Sequence, residues 1–170
     1  MLVLPAIASA KHHRAKHHRA EPPVVASGRT LFGVPWQATV AGSDAGSIQF
    51  SVDSRKRYQR GWLARNSLPS SPSSVFTATT VTNVDPRPEG ELVGITSPSV
   101  VLLSVHMSDG SIFELYPTAP SAAAQSRVPS LSQVRVFAGF FPVGAVPQSI
   151  DAMDAGNNVL AERTSADGHF

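Results

Sequence analysis

The feature that most constrains this chain is a period of two in its apolar residues. Val101, Leu103, Val105 and Met107 form a stripe with Ser104 and His106 between them. Such alternation puts every second side chain on one face of a strand, and it does not fit a helix. The stripe runs into Asp109-Gly110, a short-range hairpin signal, and returns through Ile112 to Tyr116. The same period recurs in Trp36, Ala38 and Val40, in Ile48, Phe50 and Val52, and in Val134, Val136, Ala138 and Phe140. Phe76, Ala78 and Thr80 begin a Thr-rich strand, and Leu92–Ile95, Ile150–Met153 and Val159–Ala161 read as shorter ones. Turn chemistry separates them, at residues 41–46, 85–90, 142–144 and 155–158. Pro117 to Ser126 reads as a Pro/Ala/Ser loop, and no stretch carries a convincing 3.6-residue period.

The expected fold class is therefore all-β: an immunoglobulin-like antiparallel sandwich of about eight short strands around one core. It is expected over residues 31–162, with a Ser/Pro linker near 67–74, a disordered tail at 163–170 and, at 1–30, an apolar start and basic stem that is disordered or membrane-proximal. The 14 prolines and 12 glycines argue against long helices. Charged residues are 15% of the chain, against about 25% in an average soluble domain, so Ser, Thr, Asn and Gln must cover much of the surface, as in exported proteins. The absence of cysteine removes disulfides, thiolate ligands and thiol chemistry together, and leaves the redox compartment undecided.

The stem is unlike the rest. Met1 to Ala10 is apolar but only ten residues long, half the length of a spanning helix of about 20. The expectation is that it is the distal part of a longer apolar anchor; the alternative is a floppy apolar tail. A tandem pentad follows, Lys11-His-His-Arg-Ala15 and Lys16-His-His-Arg-Ala20. The net charge is +2, of which this tract supplies +4, so the remainder of the chain carries −2. A pI of 9.4 thus reflects one short segment and does not mark a nucleic-acid-binding face. Two uses of the tract compete. His12, His13, His17 and His18 have the composition of a weak chelating site for Zn, Ni or Cu. The preferred reading is a basic spacer held near an anionic lipid surface or another protein, because four interleaved cations repel an incoming divalent ion.

Few residues of the β region point to chemistry. Arg57, Tyr58, Arg60 and Trp62 combine cations with aromatics, the composition of an interaction surface, although such runs are more often solvated loops. Trp36 and Trp62 are the largest candidate anchors for a core or a ligand. His106 falls opposite the apolar stripe, and no orienting carboxylate can be named for it. Asp151, Asp154 and Asn157 resemble pieces of a calcium loop, but the spacing and the closing Glu are missing, and a turn explains them better. There is no Gly-x-Ser-x-Gly elbow, phosphate loop, His-Glu-x-x-His or dinucleotide fingerprint. A non-enzymatic interaction module is the expected function. The alternatives are a metal-binding protein acting through the stem and a hydrolase with a site assembled across strands.

Residues 91–161 resemble a recurring pattern in actinobacterial membrane-anchored or exported β-sandwich proteins of unknown function. The motifs that carry the likeness are Val93-Gly94-Ile95, Val101 to Val105, Asp109-Gly110, Val136-Phe137-Ala138 with Pro142-Val143-Gly144, and Asp151 to Gly156. The resemblance implies an extracytoplasmic domain, membrane-anchored or secreted, and brings no catalytic residues with it. The short apolar start departs from the pattern, and a genuine start at Met1 would leave the chain in the cytoplasm.

Overall fold

The computed structural model describes residues 22–31, 33–40, 47–52, 61–67, 76–81, 89–142 and 144–165. Among the described residues, eleven strands lie in three antiparallel sheets. The first sheet is a meander of β1 (Val24–Arg29), β2 (Pro35–Val40), β3 (Ser47–Val52) and β4 (Gly61–Ser67). The second orders β5 (Phe76–Val81), β6 (Glu89–Thr96) and β9 (Arg135–Pro142). The third orders β11 (Val159–Thr164), β10 (Pro147–Met153), β7 (Leu102–Met107) and β8 (Ile112–Leu115).

The second sheet is the centre of the stack. Val93, Ile95 and Val136 belong to a core shared with Val25, Ala38, Val40, Ile48 and Phe50 of the first sheet. The opposite side of the same strands supplies Leu92, Phe137 and Phe141 to a second core with Leu103, Val105, Ile150 and Ala152. Register fixes this division. Val93 lies beside Ala138 and Ile95 beside Val136 on one face, while Leu92 lies beside Gly139 and Gly94 beside Phe137 on the other. Residues 90–96 of β6 are all buried, as a strand covered on both faces requires. A Cβ at Gly139 would come within 2.7 Å of the Phe113 ring, so glycine is what lets β8 close over β9. The all-β sandwich expected from the sequence is present, with a difference in layering: three sheets enclose two cores.

The stripe Leu103, Val105 and Met107 faces the second core as expected, and Gly110, at φ 82°, completes the β7–β8 turn. Two strands escaped the sequence pattern. β1 lies inside residues assigned to the stem, moving the start of the fold to Val24, and β4 ends at Ser67, where the linker was expected to begin. β11 runs to Thr164, into the expected tail. Ala122–Arg127, expected to be part of a loop, is instead a short helix, α1. Its cap is Ser121, whose Oγ accepts from the Ala124 backbone at 3.2 Å. A 3₁₀ turn follows at Pro129–Gln133, and Ala124 and Leu131 complete the first core. Ser121 also donates from its hydroxyl to the Val24 carbonyl and from its backbone N–H to the Val25 carbonyl, both at 2.9 Å.

Because β6 is common to both cores, truncations on its two faces should weaken one cooperative transition. Ile95→Ala and Leu92→Ala, each fully buried, are each expected to cost about 2–5 kcal/mol. Urea unfolding followed by tryptophan fluorescence and by far-UV circular dichroism should show coincident midpoints in both variants; separate midpoints would mean that the two cores unfold independently. Ser121→Ala is expected to cost about 1 kcal/mol through loss of the cap.

Candidate functional site

The two outer sheets each bury one face, which leaves the other to carry polar groups. In the third sheet the inward residues are Leu103, Val105, Met107, Leu115, Ile150 and Ala152. Alternation then directs Ser104, His106, Ile112, Glu114, Ser149, Asp151 and Glu162 outward. Register arranges them in rows that cross the four strands. Glu114 pairs with Ser104, Ser104 with Asp151, and Asp151 with Glu162, so three carboxylates share one row. The next row reads Ile112, His106, Ser149 and Thr164. On the other side of the acidic row, Leu102 pairs with Met153 and Met153 with Val159. Tyr116 follows directly on β8.

Hydrogen bonds tie two of the acids to residues beside the row. His106 Nε2 lies 3.0 Å from Asp151 Oδ2, with 40% and 21% of the two side chains exposed. The Tyr116 hydroxyl donates to Glu114 Oε2 at 2.7 Å, and this bond, reinforced by the carboxylate charge, raises the Tyr116 pKa above its ordinary value. Large apolar side chains flank the acids in the open, with Ile112 61%, Tyr116 65% and Val159 54% exposed. Among the described residues, His106 is the one ionisable group on this face that is not an acid or a phenol.

Both hairpins at the ends of this sheet are closed by an aspartate. Asp109 Oδ1 accepts from the Ser111 hydroxyl at 2.6 Å and the Ser111 N–H at 3.0 Å. Asp154 Oδ1 accepts from the N–H groups of Gly156 and Asn158, at 2.8 and 2.9 Å, and the Asn158 amide reaches both carboxylate oxygens. The Asn158 amide is the main cause that holds the Asp154 pKa below its ordinary value; the Ser111 hydroxyl does the same for Asp109. Asn157 adopts φ 61°, the left-handed conformation that asparagine tolerates. The segment that resembles a calcium loop is thus a β10–β11 turn whose carboxylate serves its own backbone. Among the described residues no three His, Asp or Glu side chains are grouped to hold a metal ion.

The structure places His106 where the alternation put it and supplies the carboxylate that could not be named. Asp151 was grouped with the turn, yet it faces the same side as His106 and sits one row away. Trp36 packs against the first core, with its ring 6.4 Å from that of Phe140. Of the expected interaction surface, Trp62 is a β4 residue paired with Ser51, while Arg57, Tyr58 and Arg60 lie outside the described residues. His12, His13, His17 and His18 also lie outside them, as does the apolar start. Within the described residues, no helix is long and apolar enough to cross a membrane. One carboxylate is buried inside the stack: Glu91 of β6, beside Phe140, is inaccessible from the surface.

Compared with known proteins, the chain matches no family model, no curated protein and no solved structure.

The lowered pKa values of Asp109 and Asp154 set a direction for acid sensitivity. A depressed carboxylate stabilises the fold above its unfolded value of 3.8, and that contribution is lost as pH falls through the folded value below it. Amide exchange at Ser111, Gly156 and Asn158 should therefore accelerate in acid before the strands of the two cores open. Carboxyl titration by NMR should place both aspartates below a free aspartate, and values at or above the free one would contradict the turn geometry.

Proposed function

We propose that the protein is a non-enzymatic, extracytoplasmic β-sandwich module that works by macromolecular contact through the outer face of its third sheet. The observation that carries this reading is the combination on that face of three aligned carboxylates with exposed Ile112, Tyr116 and Val159. A solvated sheet face needs no large apolar residues. Rimmed by charge, they are the composition of a protein-contact surface, where tyrosine is enriched and contact excludes water from the polar pairs. The partner that fits is a protein segment bearing cations beside an apolar side chain. The low charge content and the likeness to exported actinobacterial proteins support an extracytoplasmic site of action, and the immunoglobulin-like reading belongs with them. The His106–Asp151 pair acts here as a hydrogen-bonded element of the face. A hydrolase reading has the base and its carboxylate but, among the described residues, no hydroxyl bonded to the ring.

The test is photo-crosslinking in the source cells. A benzophenone amino acid at Tyr116 should form a discrete adduct, and the same probe at exposed Ser126 of α1 should not. The adduct should disappear in the Glu114→Gln/Asp151→Asn/Glu162→Gln variant, and the protein should fractionate with the envelope or the medium. An adduct that survives the triple substitution, or a protein confined to the cytoplasm, would overturn the reading.

A further inference from the structure

The outer face is acidic, and the same chain carries a short cationic tract at Lys11 to Arg19. On the reading that this face is a contact surface, we infer that its resident occupant is the chain's own segment Lys11 to Arg19, docked in cis. Charge complementarity is the first argument. The row of Glu114, Asp151 and Glu162 is opposite in sign to Lys11, Arg14, Lys16 and Arg19, in a chain whose charged residues are only 15% of the whole.

Position is the second argument, and it is independent of charge. The start of β1 is tied to Ser121 through the carbonyls of Val24 and Val25. Ser121 lies five residues beyond Tyr116, at the end of the strand that carries Glu114. Five residues span at most about 17 Å, so the tract leaves the fold within that distance of the edge of the acidic face. Arg19 lies five residues before Val24, within reach of another span of about 17 Å, and the remaining cations precede it in the chain.

Spacing is the third. Strands in a sheet lie about 4.8 Å apart, so Asp151 is about 10 Å and Glu162 about 14 Å from Glu114 along the row. In an extended peptide, Lys16 and Arg14 lie about 10 and 17 Å from Arg19. A tract crossing the strands from the β8 edge therefore brings Arg19, Lys16 and Arg14 to the three carboxylates in order. Exposed ion pairs are individually weak, but tethering raises the local concentration of the tract to the millimolar range, so a weak contact suffices. The docked tract would hold the face until a partner with a better complement displaces it.

The absence of cysteine gives a clean experiment with the full chain. A nitroxide on Ala15→Cys is the only label, and amide relaxation is read by NMR at low protein concentration. Relaxation at Glu114, Asp151 and Glu162 should rise at least about twofold over the reduced label. It should return to the reference in about 0.5 M salt, where the screening length is about 4 Å. It should also return when Lys11, Arg14, Lys16 and Arg19 are all glutamine, and in the Glu114→Gln/Asp151→Asn/Glu162→Gln variant, with the spectrum of each variant checking that it folds. Uniform broadening, broadening on another face, broadening that survives either set of substitutions, or broadening transferred to unlabelled chains in a mixture would each overturn the inference. An unrelated arginine-rich decapeptide, titrated onto the stem-neutralised chain, separates the two levels. If it binds through the three carboxylates while the cis effect is absent, the contact surface stands and its resident occupant is not the stem. If neither occurs, both fall.

Discussion

Burial of β6 on both faces is the constraint from which the rest of the architecture follows. A strand covered once needs apolar residues at alternate positions; a strand covered twice needs them, or very small residues, at all. Gly90 to Thr96 meets most of that demand with Leu92, Val93 and Ile95 as bulk and two glycines where Phe137 and Phe141 come across from β9, and departs from it at the buried Glu91 and Thr96. Each fully buried aliphatic side chain contributes on the order of 1.5–3 kcal/mol, and those of β6 alternate between two cores. Removing the strand would leave both outer sheets without an opposing wall. The outer sheets, in return, need only one apolar face each, so the outer face of the third sheet is free to carry its row of carboxylates.

That economy explains what the sequence revealed. The outer strands β7 and β10 alternate in burial because one face meets a core and the other does not, while β2 and β3 show the same period in their apolar residues. β6 reads only as a short apolar run broken by a glycine, and a run of that kind does not say whether it lies at the edge or in the middle of a stack. β1 has Val25 as its one buried residue, too little to set a period, and its neighbours are small or exposed. α1 is a single short helix whose only strong sign is the Ser121 cap, and its apolar residues are alanines that also suit a loop. Propensity in so short a segment is overridden by packing.

The candidate site was legible by halves. Alternation alone puts His106 on the outside, and would have put Asp151 and Glu162 there too had the registers been known. Register is a pairing property, and the row that aligns Glu114, Asp151 and Glu162 lies in the regular stretch between two irregularities, one in β10 at Pro147/Ser149 and one where β11 pairs with Ala152/Met153. A shift of one residue would send Asp151 into the core and Ile150 out, so burial of Ile150 is what fixes the acid in place. The aspartates of the turns, by contrast, are local: Asp109 and Asp154 each reach residues two to four positions ahead, the kind of contact that sequence spacing does predict.

Ser121 then connects regions far apart in the chain. Its hydroxyl accepts from Ala124 to start α1 and donates to Val24 to hold β1, so one side chain fixes the helix, the edge of the first sheet and the exit of the stem. The path from β8 to Ser121 is braced in turn by Thr118, which exchanges backbone hydrogen bonds with Val136 of β9 at 2.8 and 2.9 Å. β9 belongs to the central sheet. The exit of the cationic tract is therefore anchored, through two short links, to the same sheet that separates the cores, and its distance from the acidic face is a property of the fold. A basic segment attached through a long loop would sample the whole surface; one attached here starts from a point no more than about 17 Å of chain from the end of β8. The partition of charge between stem and sheet, invisible in a net value of +2, acquires a direction from that attachment.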